Sequence, residues 1–143
     1  MPITWSDDIA ALDWDELAAL YQAAPLGSKS AQELKTAFTR SGIACLAYDD
    51  GHLVAAGRAL ADGVDFAYLC DVAVMPSHQG TGLGQQVVTR LLERVAGHKK
   101  ILLYSVPGKE GFYKRFGFKR MRTAMAIFRD PAAALARGHI DDT

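Results

Sequence analysis

Cysteine, long apolar runs and an excess of either charge are all scarce in this chain of 143 residues. Its two cysteines, Cys45 and Cys70, stand inside apolar segments, which predicts buried thiols in a reducing compartment rather than a disulfide framework. The four histidines are widely scattered, so no spacing typical of a zinc site is present. No apolar run approaches the ~20 residues of a membrane span, and the N-terminus lacks the basic and apolar regions of a signal peptide. These absences predict a cytoplasmic protein with neither a metal ion nor a membrane partner.

The charges that are present are unevenly distributed. Residues 1–89 carry 4 Lys and Arg against 11 Asp and Glu, whereas residues 90–122 carry 10 against 2. A basic stretch can attract a polyanion, but nucleic-acid recognition also needs stacking aromatics or a known reading element beside the charge. Neither is evident here. A solvated basic surface explains the stretch equally well, and we predict no nucleic-acid partner.

The spacing of apolar residues predicts a mixed fold of helices and strands. Helices are expected at 14–23, capped by Asp13, and at 30–40, 82–95 and 108–116. Strands are expected at 43–48, 53–60, 66–74, 101–104 and 125–128. The tail from residue 130 is expected to form a short helix or a loose end. The order of these elements predicts an α+β or α/β sandwich, with a mixed sheet flanked by helices, in a single domain over residues 1–143.

Three glycines follow the most apolar of the predicted strands. Pro76 starts a turn after that strand, and Gly80, Gly82 and Gly84 open the next helix. Glycine lets backbone N–H groups approach a ligand closely, and a helix N-terminus adds unpaired donors and the positive end of the helix dipole. The arrangement indicates a site for phosphate or pyrophosphate. The alternative is a tight turn between strand and helix that binds no ligand.

Two common phosphate-binding motifs do not fit these glycines. A Walker loop reads Gly-x4-Gly-Lys-Ser/Thr, whereas Gln85 stands five residues after Gly80 and no lysine follows. The dinucleotide fingerprint reads Gly-x-Gly-x-x-Gly, but the spacing from Gly80 to Gly84 is Gly-x-Gly-x-Gly. Neither motif therefore describes this segment.

Residues 71–84 carry a resemblance to a known family. Their last six, Gln79-Gly80-Thr81-Gly82-Leu83-Gly84, closely resemble the Gln/Arg-x-x-Gly-x-Gly/Ala signature of the GCN5-related N-acetyltransferase (GNAT) superfamily. The similarity extends over about residues 43–128 and includes the plant and bacterial serotonin N-acetyltransferase-like branch. It implies a mostly antiparallel sheet that splays between its fourth and fifth strands, where acetyl-coenzyme A binds. The cofactor contacts that it implies are Val72, Ala73, Val74, Gln79, Gly80, Thr81, Gly82, Leu83, Gly84, Gln85 and Phe112.

A second motif of the same family lies at residues 111–118. The run Gly111-Phe112-Tyr113-Lys114-Arg115-Phe116-Gly117-Phe118 resembles the family's Phe-Tyr-x-x-x-Gly-Phe element. Transfer from a thioester expels a thiolate, and since a thiol has a pKa of about 8.5, a nearby hydroxyl donor helps it to leave. The resemblance implies that Tyr113 is this general acid. The alternative is that Tyr113 only packs, as Phe112 and Phe116 do.

An amine acceptor must be neutral to attack, so a base or a water chain is required. The strand positions that often supply a base in relatives match Tyr68 and Cys70, and neither is a good base. Asp71 is the nearest carboxylate and becomes the candidate base, with binding of a cationic amine or capping of a turn as its alternatives. A carboxylate inside an apolar strand needs a partner in any case.

The sequence thus predicts an enzyme that transfers an acetyl group from acetyl-coenzyme A directly to a primary amine of a small molecule. Cys70 as a covalent nucleophile is the rival route, and burial without a paired histidine argues against it. A protein or peptide N-terminal acetyltransferase and a non-catalytic acyl-coenzyme A sensor stay open as alternatives, and a homodimer is also left open. The helices expected to set acceptor specificity show no readable motif, so the identity of the amine is undetermined.

Overall fold

The computed structural model describes residues 2–27 and 29–143, which belong to two compact units, Met1–Leu103 and Tyr104–Thr143. The first unit contains the strands β1 (Ile3–Ser6), β2 (Ile43–Asp49), β3 (His52–Ala61), β4 (Phe66–Val74) and β5 (Lys100–Leu102). Its helices are α1 (Trp14–Ala23), α2 (Ala31–Ser41) and α3 (Leu83–Arg94). The second unit contains the short helices α4 (Glu110–Lys114) and α5 (Pro131–Ala136). A single domain over residues 1–143 stays a prediction.

The five strands form one sheet in the order β1-β2-β3-β4-β5. Neighbouring strands are antiparallel except for β4 and β5, which are parallel. The turn between β2 and β3 has Asp50 at φ 51° and Gly51 at φ 78°, the left-handed backbone that a tight two-residue hairpin requires. The predicted mixed, mostly antiparallel sheet is therefore confirmed.

The pairing of β4 with β5 is short. It runs from Phe66 opposite Lys100 to Tyr68 opposite Leu102. Strand β4 continues for six more residues, to Val74, while it pairs with β3 on its other side. Within the part of the chain that the structure describes, β4 and β5 thus separate after Tyr68, which confirms the predicted splay between the fourth and fifth strands.

Helices cover both faces of the sheet. On one face, α1 and α2 bury an apolar cluster against the strands, with members that include Leu17, Leu20, Leu34, Phe38, Leu46, Ala56 and Ala73. On the other, α3 buries the stripe that its spacing predicts, through Leu83, Val87, Val88 and Leu91. Helix α1 begins as predicted, because the Asp13 carboxylate accepts hydrogen bonds from the N–H groups of Asp15 and Glu16.

The structure differs from the predicted elements at four places: one strand is missed, one predicted strand does not form, and two elements are shorter than predicted. Strand β1 is not predicted from the sequence, since four residues are too few to show a clear alternation. It pairs with β2, and the ring centre of its Trp5 lies 4.0 Å from the Arg90 guanidinium carbon. The strand predicted at 125–128 is wrong, because those residues are not in a strand and Met125 and Ile127 are fully exposed. Apolar alternation produces a strand only where another strand pairs with its backbone. Strand β5 and helix α4 are shorter than predicted.

Gly57 lies where β3 passes beneath α3. A Cβ atom at this position would lie 2.9 Å from Val87 Cγ1 and 3.0 Å from Leu91 Cδ1. We therefore expect Gly57→Ala to lower the free energy of unfolding by about 1–3 kcal/mol, the usual cost of overpacking a core, in urea or thermal denaturation. Gly111→Ala is the control, because its added methyl group meets no atom within 4 Å beyond its chain neighbours and its own helix backbone. Equal stabilities for the two variants would contradict this account of the contact between sheet and helix.

Candidate active site

The glycine segment forms a loop between β4 and α3. Gly80 and Gly82 have φ angles of 80° and 84°, in the left-handed region that glycine tolerates best. Gly82 is the N-cap of α3, and the first hydrogen bond along the helix axis runs from the Gln86 N–H to the Gly82 carbonyl at 3.2 Å. No side chain among the described residues caps this end. The N–H groups of the first turn are therefore directed out of the helix as donors.

The side chains of this loop stabilise its own backbone. Gln79 Nε2 donates to the Val74 carbonyl at 3.1 Å, and the Thr81 hydroxyl donates to the His78 carbonyl at 2.6 Å. His78 Nε2 is hydrogen bonded to Asp49 Oδ2 at 2.7 Å, which fastens the loop to the β2–β3 hairpin. The sequence does not predict the contact between Asp49 and His78, because the two residues are far apart in the chain and form no local motif.

The loop fits a pyrophosphate group. A Cβ atom built on Gly80 or Gly82 meets nothing within 4 Å, so the space beside the backbone is open. The 12-residue helix α3 directs the positive end of its dipole to this space. Backbone donors, open space and a favourable dipole together suit an anionic ligand.

A β-bulge interrupts β4 just before the loop. Cys70 lies opposite Arg58 and Ala73 lies opposite Ala56, so that Asp71 and Val72 together face the single residue Gly57. Asp71 has a φ angle of 58°, a left-handed conformation that is rare for a side-chain-bearing residue inside a strand. The sequence pattern gives no sign of this bulge.

Asp71, the candidate base, is held in an ion pair. Its Oδ2 accepts a hydrogen bond from Arg58 Nε at 2.8 Å, and its Oδ1 lies 3.7 Å from Lys29 Nζ. Its carbonyl oxygen accepts a hydrogen bond of 2.6 Å from the Tyr21 hydroxyl. Burial raises the pKa of Tyr21 well above its ordinary value, so this hydroxyl remains a donor. The structure thus gives Asp71 the partner that its apolar strand requires, and its role as base stays a prediction.

The remaining predicted residues of β4 lie on its splayed part. Val72 and Val74 are half-buried, and Ala73 is buried in the cluster under α1 and α2. Burial raises the pKa of the neighbouring Cys70 thiol to about 11. Such a thiol carries little thiolate at neutral pH, which argues against Cys70 as a nucleophile.

Tyr113 and Phe112 lie on α4, in the second unit. Tyr113 is half-buried, with its ring centre 5.0 Å from that of Phe112 and 6.1 Å from that of Phe118. Burial raises the pKa of Tyr113 above its ordinary value. The phenol is therefore protonated at neutral pH, as a proton donor must be, while its role as general acid stays a prediction.

The described residues form neither a metal-binding cluster nor a membrane-spanning helix. Across residues 2–27 and 29–143, no group of three or more His, Cys, Asp or Glu side chains is arranged to hold a metal ion. None of the helices described for this chain has the length and apolar character needed to cross a bilayer.

Known proteins share parts of this sequence. GCN5-related N-acetyltransferase 1, chloroplastic, of Arabidopsis thaliana is 49% identical over 67 residues, which cover 46% of this chain and 34% of that protein. Serotonin N-acetyltransferase 2, chloroplastic, of Oryza sativa subsp. japonica is 47% identical over 70 residues, or 48% of this chain and 35% of that protein. The matches thus span about a third of the length of each relative, and they confirm the resemblance to the serotonin N-acetyltransferase-like branch.

A solved structure and a family model extend the comparison to most of the chain. A protein from Xanthomonas campestris pv. campestris, described as belonging to the GNAT family, superposes with a TM-score of 0.78 and 25% identity, covering 90% of this chain and 94% of that one. Residues 7–118 match the model of the Acetyltransferase (GNAT) family. With this match over most of its length, and with the glycine loop at the start of α3, the chain belongs to the GNAT family of acetyltransferases.

Proposed function

We propose that this chain transfers an acetyl group from acetyl-coenzyme A directly to a primary amine of a small molecule. The observation that carries the proposal is the left-handed glycine loop of Gly80 and Gly82, which opens α3 next to the splayed part of β4. That loop supplies donors for a pyrophosphate, the group that links the two halves of coenzyme A. Membership of the GNAT family supports the reaction class.

Backbone groups hold the cofactor in this proposal. The N–H groups of Gly80, Gly82, Leu83 and Gly84 bind the pyrophosphate, and Gln79 supports the loop through the Val74 carbonyl. The amide near Val74 polarises the thioester carbonyl, as an oxyanion-hole donor does. The other residues assigned to the cofactor are Val72, Ala73, Thr81, Gln85 and Phe112.

Acetyl-coenzyme A supplies the acetyl group as an activated thioester. The neutral amine attacks it directly, and Tyr113 donates its proton to the departing sulfur. The raised pKa of Cys70, about 11, agrees with a route that forms no covalent enzyme intermediate.

A small cationic amine is the acceptor that the charge distribution favours. Residues 1–89, which form most of the first unit, carry 11 acidic against 4 basic side chains. An excess of acidic over basic side chains attracts a protonated amine and raises its local concentration. The relative named serotonin N-acetyltransferase 2 supports an aromatic amine within this class.

An amine panel with thiol release as the readout tests the proposal. The panel contains serotonin, other aryl-alkylamines, aliphatic amines, and peptides with free N-termini, each with acetyl-coenzyme A. We expect saturable thiol release and a stoichiometric N-acetyl product with at least one small amine. Thiol release with peptides but with no small amine would identify a peptide N-terminus, rather than a small molecule, as the acceptor. Binding of coenzyme A without release for any amine would identify a sensor and overturn the proposal.

A further inference from the structure

The backbone of Asp71 needs external support. A left-handed φ of 58° is common for Asp or Asn in tight turns, as at Asp50, but Asp71 stands inside a nine-residue strand. A residue in such a conformation persists only where its surroundings fix it. The contacts that fix Asp71 therefore determine the course of the rest of β4.

A chain of four hydrogen bonds supplies this support. The Tyr21 hydroxyl of α1 donates to the Asp71 carbonyl at 2.6 Å, and Arg58 Nε donates to the Asp71 carboxylate at 2.8 Å. Arg58 Nη1 donates in turn to Ser41 Oγ at 2.9 Å, and the Ser41 hydroxyl donates to the Ala37 carbonyl of α2 at 2.6 Å. Tyr21, Ser41 and Arg58 are called the bulge clamp below, because they tie both the backbone and the side chain of Asp71 to the helices.

The bulge clamp is shielded from water. Tyr21 is 3% exposed and Ser41 is 6% exposed, while the side chains of Arg58 and Asp71 are each 13% exposed. Removing one member of a buried polar set leaves its partner unsatisfied, so the set acts as a unit. A buried ion pair is weak evidence for stability, and fixing one conformation is the role for which such pairs are best suited.

The bulge changes the direction in which β4 side chains point. Cys70 lies directly opposite Arg58, whose side chain reaches Ser41 of α2, so Cys70 is on the side of the sheet that α2 covers. Two residues later, Val72 lies on the α3 side, with its Cγ2 3.3 Å from the position of a Cβ on Gly57 and beside Val87. The side chains of β4 thus change faces after Tyr68, the last residue of β4 that pairs with β5. The change comes at the start of residues 72–74, the segment assigned to the thioester.

We propose that Tyr21 and Arg58 are positioning residues for acetyl transfer, holding the Asp71 bulge so that the backbone of residues 72–74 presents one fixed set of groups to the thioester. This inference rests on the proposed function. In this inference the Asp71 carboxylate binds the bulge clamp through Arg58 and does not abstract a proton from the amine. The amine then loses its proton to solvent, through the water route that acetyl transfer also permits.

Tyr21→Phe is the first test, because it keeps the ring and removes only the donor to the Asp71 carbonyl. We expect kcat to fall about tenfold while KM for acetyl-coenzyme A stays within about twofold, since small displacements of positioned groups affect the chemical step most. Binding of acetyl-coenzyme A and of free coenzyme A is measured in parallel. The preference for the acetylated form should diminish, because only that form has a thioester carbonyl for the 72–74 backbone. Tyr48→Phe removes a tyrosine hydroxyl from β2 and is the matched control.

Two substitutions at Asp71 separate positioning from base catalysis. Asparagine tolerates a left-handed backbone and still accepts a hydrogen bond from Arg58, whereas alanine does neither well. We expect Asp71→Asn to lose up to about tenfold in kcat and Asp71→Ala to lose about 100-fold. Equal losses of about 100-fold or more in both variants, the range for removal of a general base, would overturn the inference.

Ser41→Ala covers the case in which Tyr21→Phe does not fold. It removes the second anchor of Arg58 from the C-terminal turn of α2, and we expect about a threefold loss in kcat together with a smaller preference for acetyl-coenzyme A. Lower melting temperatures with unchanged kcat and unchanged preference would show a purely structural role and reject the proposal. If the parent protein releases no thiol with any amine, the proposed function fails, and the binding preference of the variants still decides whether the bulge clamp positions the backbone.

Discussion

Gly82→Asp should abolish coenzyme A binding while the fold survives. The substitution places a carboxylate at the N-cap of α3, where the open backbone is assigned to pyrophosphate. Two unit charges 4 Å apart repel by about 4 kcal/mol at the effective dielectric constant of a protein surface. We therefore expect the dissociation constant of coenzyme A to rise at least about 100-fold, as measured by calorimetry.

A matched control separates charge at the loop from strain in the backbone. Gly63 has a φ angle of 87°, close to the 84° of Gly82, and a Cβ there also meets nothing within 4 Å. Gly63→Asp thus introduces the same side chain and similar strain in the turn that precedes β4. It should melt at a lower temperature yet bind coenzyme A normally. If coenzyme A raises the melting temperature of Gly82→Asp as much as that of the parent protein, the glycine loop does not bind the pyrophosphate.

Tyr113→Phe should lower kcat about 100-fold and leave KM for acetyl-coenzyme A nearly unchanged. The ring stays among Phe112 and Phe118, so packing is preserved, and backbone groups elsewhere are assigned to hold the cofactor. General acids contribute ~10²–10⁴-fold, and water can replace part of that help, which places the expected loss at the lower end. Steady-state thiol release with an active amine measures it, with Tyr48→Phe as the control.

The pH dependence of this loss follows from the pKa of Tyr113. Burial raises that pKa above its ordinary value, so the phenol keeps its proton through neutral pH and loses it only in strongly alkaline solution. The advantage of the parent enzyme over Tyr113→Phe should therefore be constant across neutral pH and shrink as the pH rises through the phenol pKa. A variant within twofold of the parent at neutral pH would leave Tyr113 as a packing residue.

Local signals explain what the sequence predicted correctly. Helix α1 spans Trp14–Ala23 as predicted, because apolar spacing and the capping residue Asp13 both act within one or two helical turns. Strand β4 spans Phe66–Val74 as predicted, because it is apolar almost throughout and ends at a proline turn. The turn formed by the glycines was predictable for the same reason, since its backbone conformation depends on adjacent residues.

Long-range contacts explain what the sequence did not predict. The support of Asp71 comes from Tyr21 and Arg58, which are 50 and 13 positions away, and the support of the loop comes from Asp49, 29 positions before His78. No periodic pattern encodes such pairs. The bulge itself has no local signal either, because its left-handed residue is an aspartate rather than a glycine.

The early end of the pairing between β4 and β5 has a consequence for aggregation. A flat strand with unpaired backbone groups along one side is a template on which another chain can add a strand. Among the residues that the structure describes, β4 has no strand partner on this side beyond Tyr68, and its sequence there is mostly apolar. The bulge at Asp71 breaks the regular spacing of donors and acceptors there, and bulges are among the devices by which natural sheets avoid edge-to-edge association. The irregularity to which we assign the orientation of residues 72–74 thus also makes this side of β4 a poor match for a foreign strand.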